Sequence, residues 1–162
     1  MVKCSDIVSL IHSRALRHSG LTPAQAPLVS LVVPAHNAER FIEGTIRSLL
    51  SQTYRHIEVI VIDDGSSDRT AALVTSIQEE DPRVVLLRQA NLGVAAARNA
   101  GLMQARGEFI APVDADDLWY PGAIEKLAAC LGEHGPGVGI VYAWSVYIDE
   151  RGLLTGGFRA AT

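Results

Sequence analysis

Lysine is almost missing from this chain: only Lys3 and Lys126 are present. A Walker-type phosphate loop ends a glycine-rich turn on a lysine, and a phospho-acceptor receiver domain needs one after its last parallel strand. Neither position is filled here, so both readings are set aside. Cysteine is equally scarce. Cys4 and Cys130 are too few for a disulfide framework and read as reduced thiols, which points to a cytoplasmic location. No apolar run approaches the roughly 18 to 20 residues of a membrane span. The start, Met1 to Ser5, has neither the charged region nor the apolar core of a secretion signal. The formal net charge of -4 argues against a nucleic-acid partner and against a polybasic membrane-surface module. What remains is an ordinary globular composition, 162 residues with 48% hydrophobic and 20% charged. A chain of that length can bury about 68 to 70% of its unfolded surface, so it needs no disulfide or metal to fold.

Residues 1–26 stand apart. Ile7, Leu10, Ile11 and Leu16 fall at near-helical spacing after Ser5 and Asp6, and Gly20 to Pro27 reads as a linker. From residue 27 to 162 short apolar runs alternate with amphipathic stretches. Strands are expected at Leu28–Val33, Val59–Ile62, Val84–Leu87, Phe109–Val113 and Val138–Tyr142. Helices are expected around Ile42–Leu50, Ala71–Ile77 with Asp68 as its cap, Val94–Ala105 and Ile124–Leu131. Strands separated by helices imply βαβ units, hence an α/β fold with a mainly parallel sheet flanked by helices. Ligands in such folds sit at the carboxyl ends of the strands.

Polar residues gather at those ends. The first strand runs into Pro34, Ala35, His36, Asn37 and Glu39, with neither of the glycine-rich phosphate loops. The second ends in Asp63, Asp64 and Gly65, the fourth in Asp114, Ala115, Asp116 and Asp117. Five aspartates on one rim would raise one another's pKa and cost stability unless a cation or donors met them. Asp-x-Asp offers hard oxygen ligands suited to Mg²⁺ or Mn²⁺, and a metal-bridged diphosphate follows economically. Gly93, near the start of a helix, should leave backbone N–H groups open to an anion, with Arg98 adding a fixed positive charge.

Taken in order, VSLVVPAHNAERFIEGTIRSLLSQTYRHIEVIVIDDGSSDRT and NLGVAAARNAGLMQARGEFIAPVDADDLWYPGAIEKL resemble the amino-terminal part of a family 2 glycosyltransferase with the GT-A fold. The resemblance implies inverting transfer of a sugar from a nucleoside diphosphate sugar, usually a UDP-sugar, to a hydroxyl acceptor. By position it implies that Pro34, Ala35 and Asn37 line the nucleoside pocket and that Asp64, beside Asp63, hydrogen-bonds the base. Arg98 would lie near the nucleotide, Asp114 toward the ribose, and Asp116 and Asp117 toward the metal. His36 departs from the Tyr or Phe usual in the family and would stack more weakly on a base.

An inverting transfer needs a base for the acceptor proton. The family places it downstream of the Asp-x-Asp strand, and Asp149 and Glu150 read as turn residues instead. The expectation is therefore a donor-binding part of a GT-A domain whose base lies beyond Thr162. Apolar surface left without its acceptor half would favour a homodimer. A non-catalytic nucleotide-sugar-binding or assembly module of the same fold is the alternative.

Overall fold

The computed structural model describes residues 26–134, 138–143, 145–149, 151 and 153–159. The expected helix near Ile7, together with Trp144 and Glu150, lies outside the described residues. Contacts divide the chain into two compact units, one spanning Gly20–Gly122 and one containing Ala123–Thr162.

The first unit runs β1 (Val29–Ala35), α1 (Ile42–Leu50), β2 (Ile57–Asp64), α2 (Thr70–Glu80), β3 (Val84–Gln89), α3 (Val94–Gln104) and β4 (Phe109–Pro112). Its four strands are all parallel, in the order β3-β2-β1-β4. Every residue of β1 and of β2 is buried, as Val/Ile/Leu runs interrupted only near their start by Ser30 and Glu58 require of central parallel strands. Each such side chain stabilises the fold by about 1.5–3 kcal/mol. The chain winds outward from β1 to β2 and β3, then returns through α3 to β4 on the other flank of β1. That reversal is the topological switch, and it places the carboxyl ends of β2 and β4 on either side of β1.

α3 lies close to the sheet because Ala97 and Gly101 are its buried residues. A Cβ on Gly101 would meet Val32 Cγ1 at 2.4 Å and Ile62 Cδ1 at 2.6 Å, so no larger residue fits without movement. At the opposite end of the sheet, buried Glu58 on β2 accepts from Ser30 Oγ at 2.7 Å. It also accepts from Arg106 N at 2.8 Å and Arg106 Nη2 at 2.7 Å, pinning the turn before β4 to the β1–β2 pair.

The second unit contributes α4 (Ala123–His134) and an antiparallel pair, β5 (Ser145–Ile148) with β6 (Leu154–Arg159). One expectation is corrected here: Val138–Tyr142 is not a strand. The run is apolar but has no partner strand, and the extended segment comes later, where a hairpin can close. Asp149 lies in that hairpin's turn. Its Oδ1 accepts from the N–H groups of Arg151 and Leu153, both at 2.9 Å.

Candidate functional site

β1 ends at Pro34 and Ala35, and the chain then turns through His36 and Asn37. Asn37 is the one described non-glycine residue with positive φ, at 50°, a conformation asparagine tolerates better than most. Its side chain ties this loop to the one after β2: Asn37 Oδ1 accepts from Ser67 N at 2.9 Å, and Asn37 N donates to Ser66 Oγ at 2.9 Å. Glu39 does the same one step on. Glu39 N donates to Asp68 Oδ2 at 3.0 Å and Glu39 Oε2 accepts from Arg69 N at 3.0 Å. Asp68 Oδ1 accepts from Thr70 N at 2.9 Å where α2 begins, but the N-cap position is Arg69, which makes no side-chain cap bond, so Asp68 sits one residue ahead of the cap it was expected to be.

The two acids ending β2 are buried and differently employed. Asp63 Oδ1 accepts from Ser66 N at 3.1 Å, while Oδ2 pairs with Arg88 Nε at 3.2 Å. Asp64 Oδ1 accepts from Gln89 Nε2 at 2.7 Å and from Leu92 N at 2.9 Å, and Oδ2 from Gly93 N at 2.8 Å. The Leu92 N–H first, then the Gln89 amide and the Gly93 N–H, outweigh desolvation and hold this carboxyl below the usual carboxylate range. Gly93 therefore differs from its expected role: its own N–H is taken by Asp64. The open donors of α3 are those of its first turn, since intrahelical pairing begins with Ala97 N to Gly93 O at 3.1 Å.

His36 joins the three loops. Its Nδ1 lies 2.8 Å from the Asp64 carbonyl oxygen, which can only accept, so Nδ1 carries the proton. Nε2 then accepts from the side-chain amides of Asn37 at 3.2 Å and Asn91 at 3.3 Å.

On the other flank of β1, the loop after β4 carries Asp114, Ala115, Asp116 and Asp117. Arg98 Nη2 donates to Asp114 Oδ1 at 2.6 Å. Its Nε–H is buried with no acceptor among the described residues, an unmade hydrogen bond that costs about 1–3 kcal/mol. Partial burial first, then the charges of Asp114 and Asp116, push the Asp117 carboxyl up. Neither Asp116 nor Asp117 has a side-chain partner among the described residues, and no three potential metal-binding side chains converge there. The expected gathering of aspartates thus separates in kind: Asp63 and Asp64 are satisfied by the protein, whereas the β4 loop holds exposed, mutually repelling carboxylates. Two strand spacings of about 4.8 Å separate β2 from β4, so both groups flank the same switch point.

The sequence description Glycosyl transferase family 2 matches residues 30–156. The chain belongs to that family. Among curated relatives, this glycosyltransferase domain is 46% identical over 101 residues to the uncharacterized glycosyltransferase EpsJ of Bacillus subtilis, covering 62% of this chain and 29% of the relative. It is 34% identical over 141 residues to chondroitin synthase of Escherichia coli, covering 85% of this chain and 20% of the relative. Among solved structures it resembles the mannosyltransferase PcManGT of Pyrobaculum calidifontis in complex with GDP-Man and Mn²⁺. That match has a TM-score of 0.63 at 31% identity and covers 80% of this chain and 41% of that one. S. aureus TarS 1-349 in complex with UDP matches with a TM-score of 0.61 at 29% identity, covering 70% and 38% of the two chains. The fold is the GT-A fold. The domain spans well under half the length of these relatives.

Two groups that brace the site loops escape a reading by motif. Gln89 is a β3 residue whose amide meets Asp64, and nothing local marks it. Thr45 and Gln52 are polar yet fully buried beside Ile42, Ile46 and Leu49. For Thr45, a polar residue interrupting an apolar helical stripe was the available signal.

Proposed function

We propose that this domain binds a nucleoside diphosphate sugar, a UDP-sugar by preference, together with Mg²⁺ or Mn²⁺, for inverting transfer to a hydroxyl acceptor. The observation that carries the reading is the division of the rim. Hydrogen-bonding groups knit together by the fold (His36, Asn37, Asn91 and the satisfied carboxylate of Asp64) gather beside β2, and a set with open charge (Arg98, Asp114, Asp116, Asp117) sits beside β4. A nucleoside suits the first and a diphosphate with its cation the second. TarS in complex with UDP and PcManGT in complex with GDP-Man and Mn²⁺ support the same pairing.

In this reading Pro34, Ala35, His36 and Asn37 line the nucleoside pocket. A carboxylate has about four acceptor sites, and the fold uses three of those on Asp64. One lone pair on Oδ2 is left for a base N–H. The donor set fits a divalent cation: two carboxylates without partners, with phosphate oxygens and water completing the shell, is the usual arrangement for Mg²⁺. Asp116 and Asp117 would hold it, and when bound it supplies Lewis-acid stabilisation of the leaving diphosphate. Arg98 and the open first-turn amides of α3 add positive potential beside that charge.

Calorimetry with UDP, with and without Mn²⁺, tests the proposal. Mn²⁺ should tighten UDP binding at least tenfold, and Asp116→Ala should remove that gain. Absence of heat from the unaltered chain with millimolar UDP and Mn²⁺ would refute it.

A further inference from the structure

α1 presents a buried face to the first unit that is not wholly apolar. Ile42, Ile46 and Leu49 are fully buried, and so are Thr45 and Gln52. Each polar side chain on this face reaches the backbone of the loop after β4, in addition to a bond to the backbone of its own helix. Thr45 Oγ1 donates to the Ala115 carbonyl at 2.8 Å. Ser48 Oγ accepts from Trp119 N at 3.1 Å. Gln52 Nε2 donates to the Tyr120 carbonyl at 2.8 Å and also lies 3.3 Å from that of Trp119. Thr53 N donates to the Pro121 carbonyl at 2.7 Å. Thus the loop is gripped at four or more backbone points along one side.

Its acids take no part in this grip. Asp114, Asp116 and Asp117 are exposed, and Asp117 N donates to the Asp114 carbonyl at 3.1 Å, closing a turn around them. Ala115 lies between the first two acids, so the Thr45 bond fixes the peptide that sets their relative direction. Like charges held close would otherwise drive such a loop open. Buried side-chain donors that reach backbone carbonyls oppose this, because breaking them leaves unpaired polar atoms away from water.

We infer that Thr45, Ser48 and Gln52 are positioning residues that hold the Asp114–Asp117 loop in the geometry its carboxylates need to share one cation. The inference rests on the nucleotide and metal reading given above, and two readouts keep their failures apart. Amide hydrogen exchange, measured by NMR without ligand, reports the clamp itself. Thr45→Val keeps the volume and removes the hydroxyl; exchange at Asp117 N should speed at least tenfold while amides of β2 stay protected. Thr45→Ser should restore the slow rate. Ser48→Ala, at a half-buried position, should release Trp119 N in the same way if Thr45→Val does not fold. UDP calorimetry is the second readout: Thr45→Val should lose about tenfold of the Mn²⁺-dependent gain, leave metal-free UDP affinity unchanged, and be rescued by Thr45→Ser. Unchanged exchange in both variants, or an intact Mn²⁺ gain in Thr45→Val where Asp116→Ala loses it, overturns the inference. If the unaltered chain shows no Mn²⁺ gain, the donor reading falls while the exchange rates still decide the clamp.

Discussion

Gly65 carries a conformational and a steric constraint at once, and substituting it measures both. Its φ is +72°, and a Cβ added there would lie 2.7 Å from Asn91 N and 3.2 Å from Asn91 Cβ. The left-handed backbone costs a non-glycine residue about 1–2 kcal/mol. Unstrained carbon contacts lie near 3.5–4.0 Å, so the Asn91 backbone must retreat by roughly 1 Å, and crowding of that kind costs about 1–3 kcal/mol. Gly65→Ala should therefore lose about 2–5 kcal/mol, against a total stability of about 5–15 kcal/mol. With a urea dependence near 2 kcal/mol per M, the midpoint should fall by about 1–2.5 M. Because Asn91 leads into Leu92 and Gly93, whose N–H groups bind Asp64, UDP affinity should fall as well. Gly122→Ala is the control: nothing lies within 4 Å of its added Cβ and its φ is not positive, so a change under about 0.5 kcal/mol is expected. A loss at Gly65 of about 1 kcal/mol or less would show that Asn91 gives way freely and that the rim is not rigid.

Glu58 gives a pH prediction. Burial alone would raise its pKa, but the bonds from Ser30 and from the Arg106 N–H and guanidinium together outweigh it and hold the carboxyl below its ordinary value of 4.5. A carboxyl lowered by folding stabilises the native state above its unfolded pKa, and that contribution is lost as pH falls through the folded value. Urea midpoints should therefore drop as pH falls below about 4.5. Glu58→Gln should start about 2–3 kcal/mol lower at pH 7 and show a shallower fall; equal slopes would exclude the assignment. Arg98→Ala breaks an ion pair whose partners are 41% and 59% exposed, so unfolding should shift by no more than about 1 kcal/mol. UDP affinity should nonetheless weaken about tenfold by calorimetry. A large stability loss with unchanged affinity would make Arg98 a structural residue.

Much of the architecture is legible in local pattern. The apolar runs of β1 and β2 announce strands covered on both faces, the alanines and Gly101 of α3 announce close packing on a sheet, and the βαβ alternation implies parallel strands. Val138–Tyr142 fails because apolar content over five residues states burial, not pairing, and a partner strand is a property of distant sequence. The same limit governs the rim. The aspartates after β2 and β4 are visible as a motif, but what each one does depends on who donates to it. Asp64 is satisfied by residues 25 to 29 positions downstream, Asn37 by a loop about 30 positions away, and Ala115 by Thr45, 70 positions earlier. Periodicity and turn chemistry act between near neighbours and could fix the elements; hydrogen bonds between loops exist only once the strands have been laid side by side, so the tertiary structure alone decided which acids are filled and which stand open.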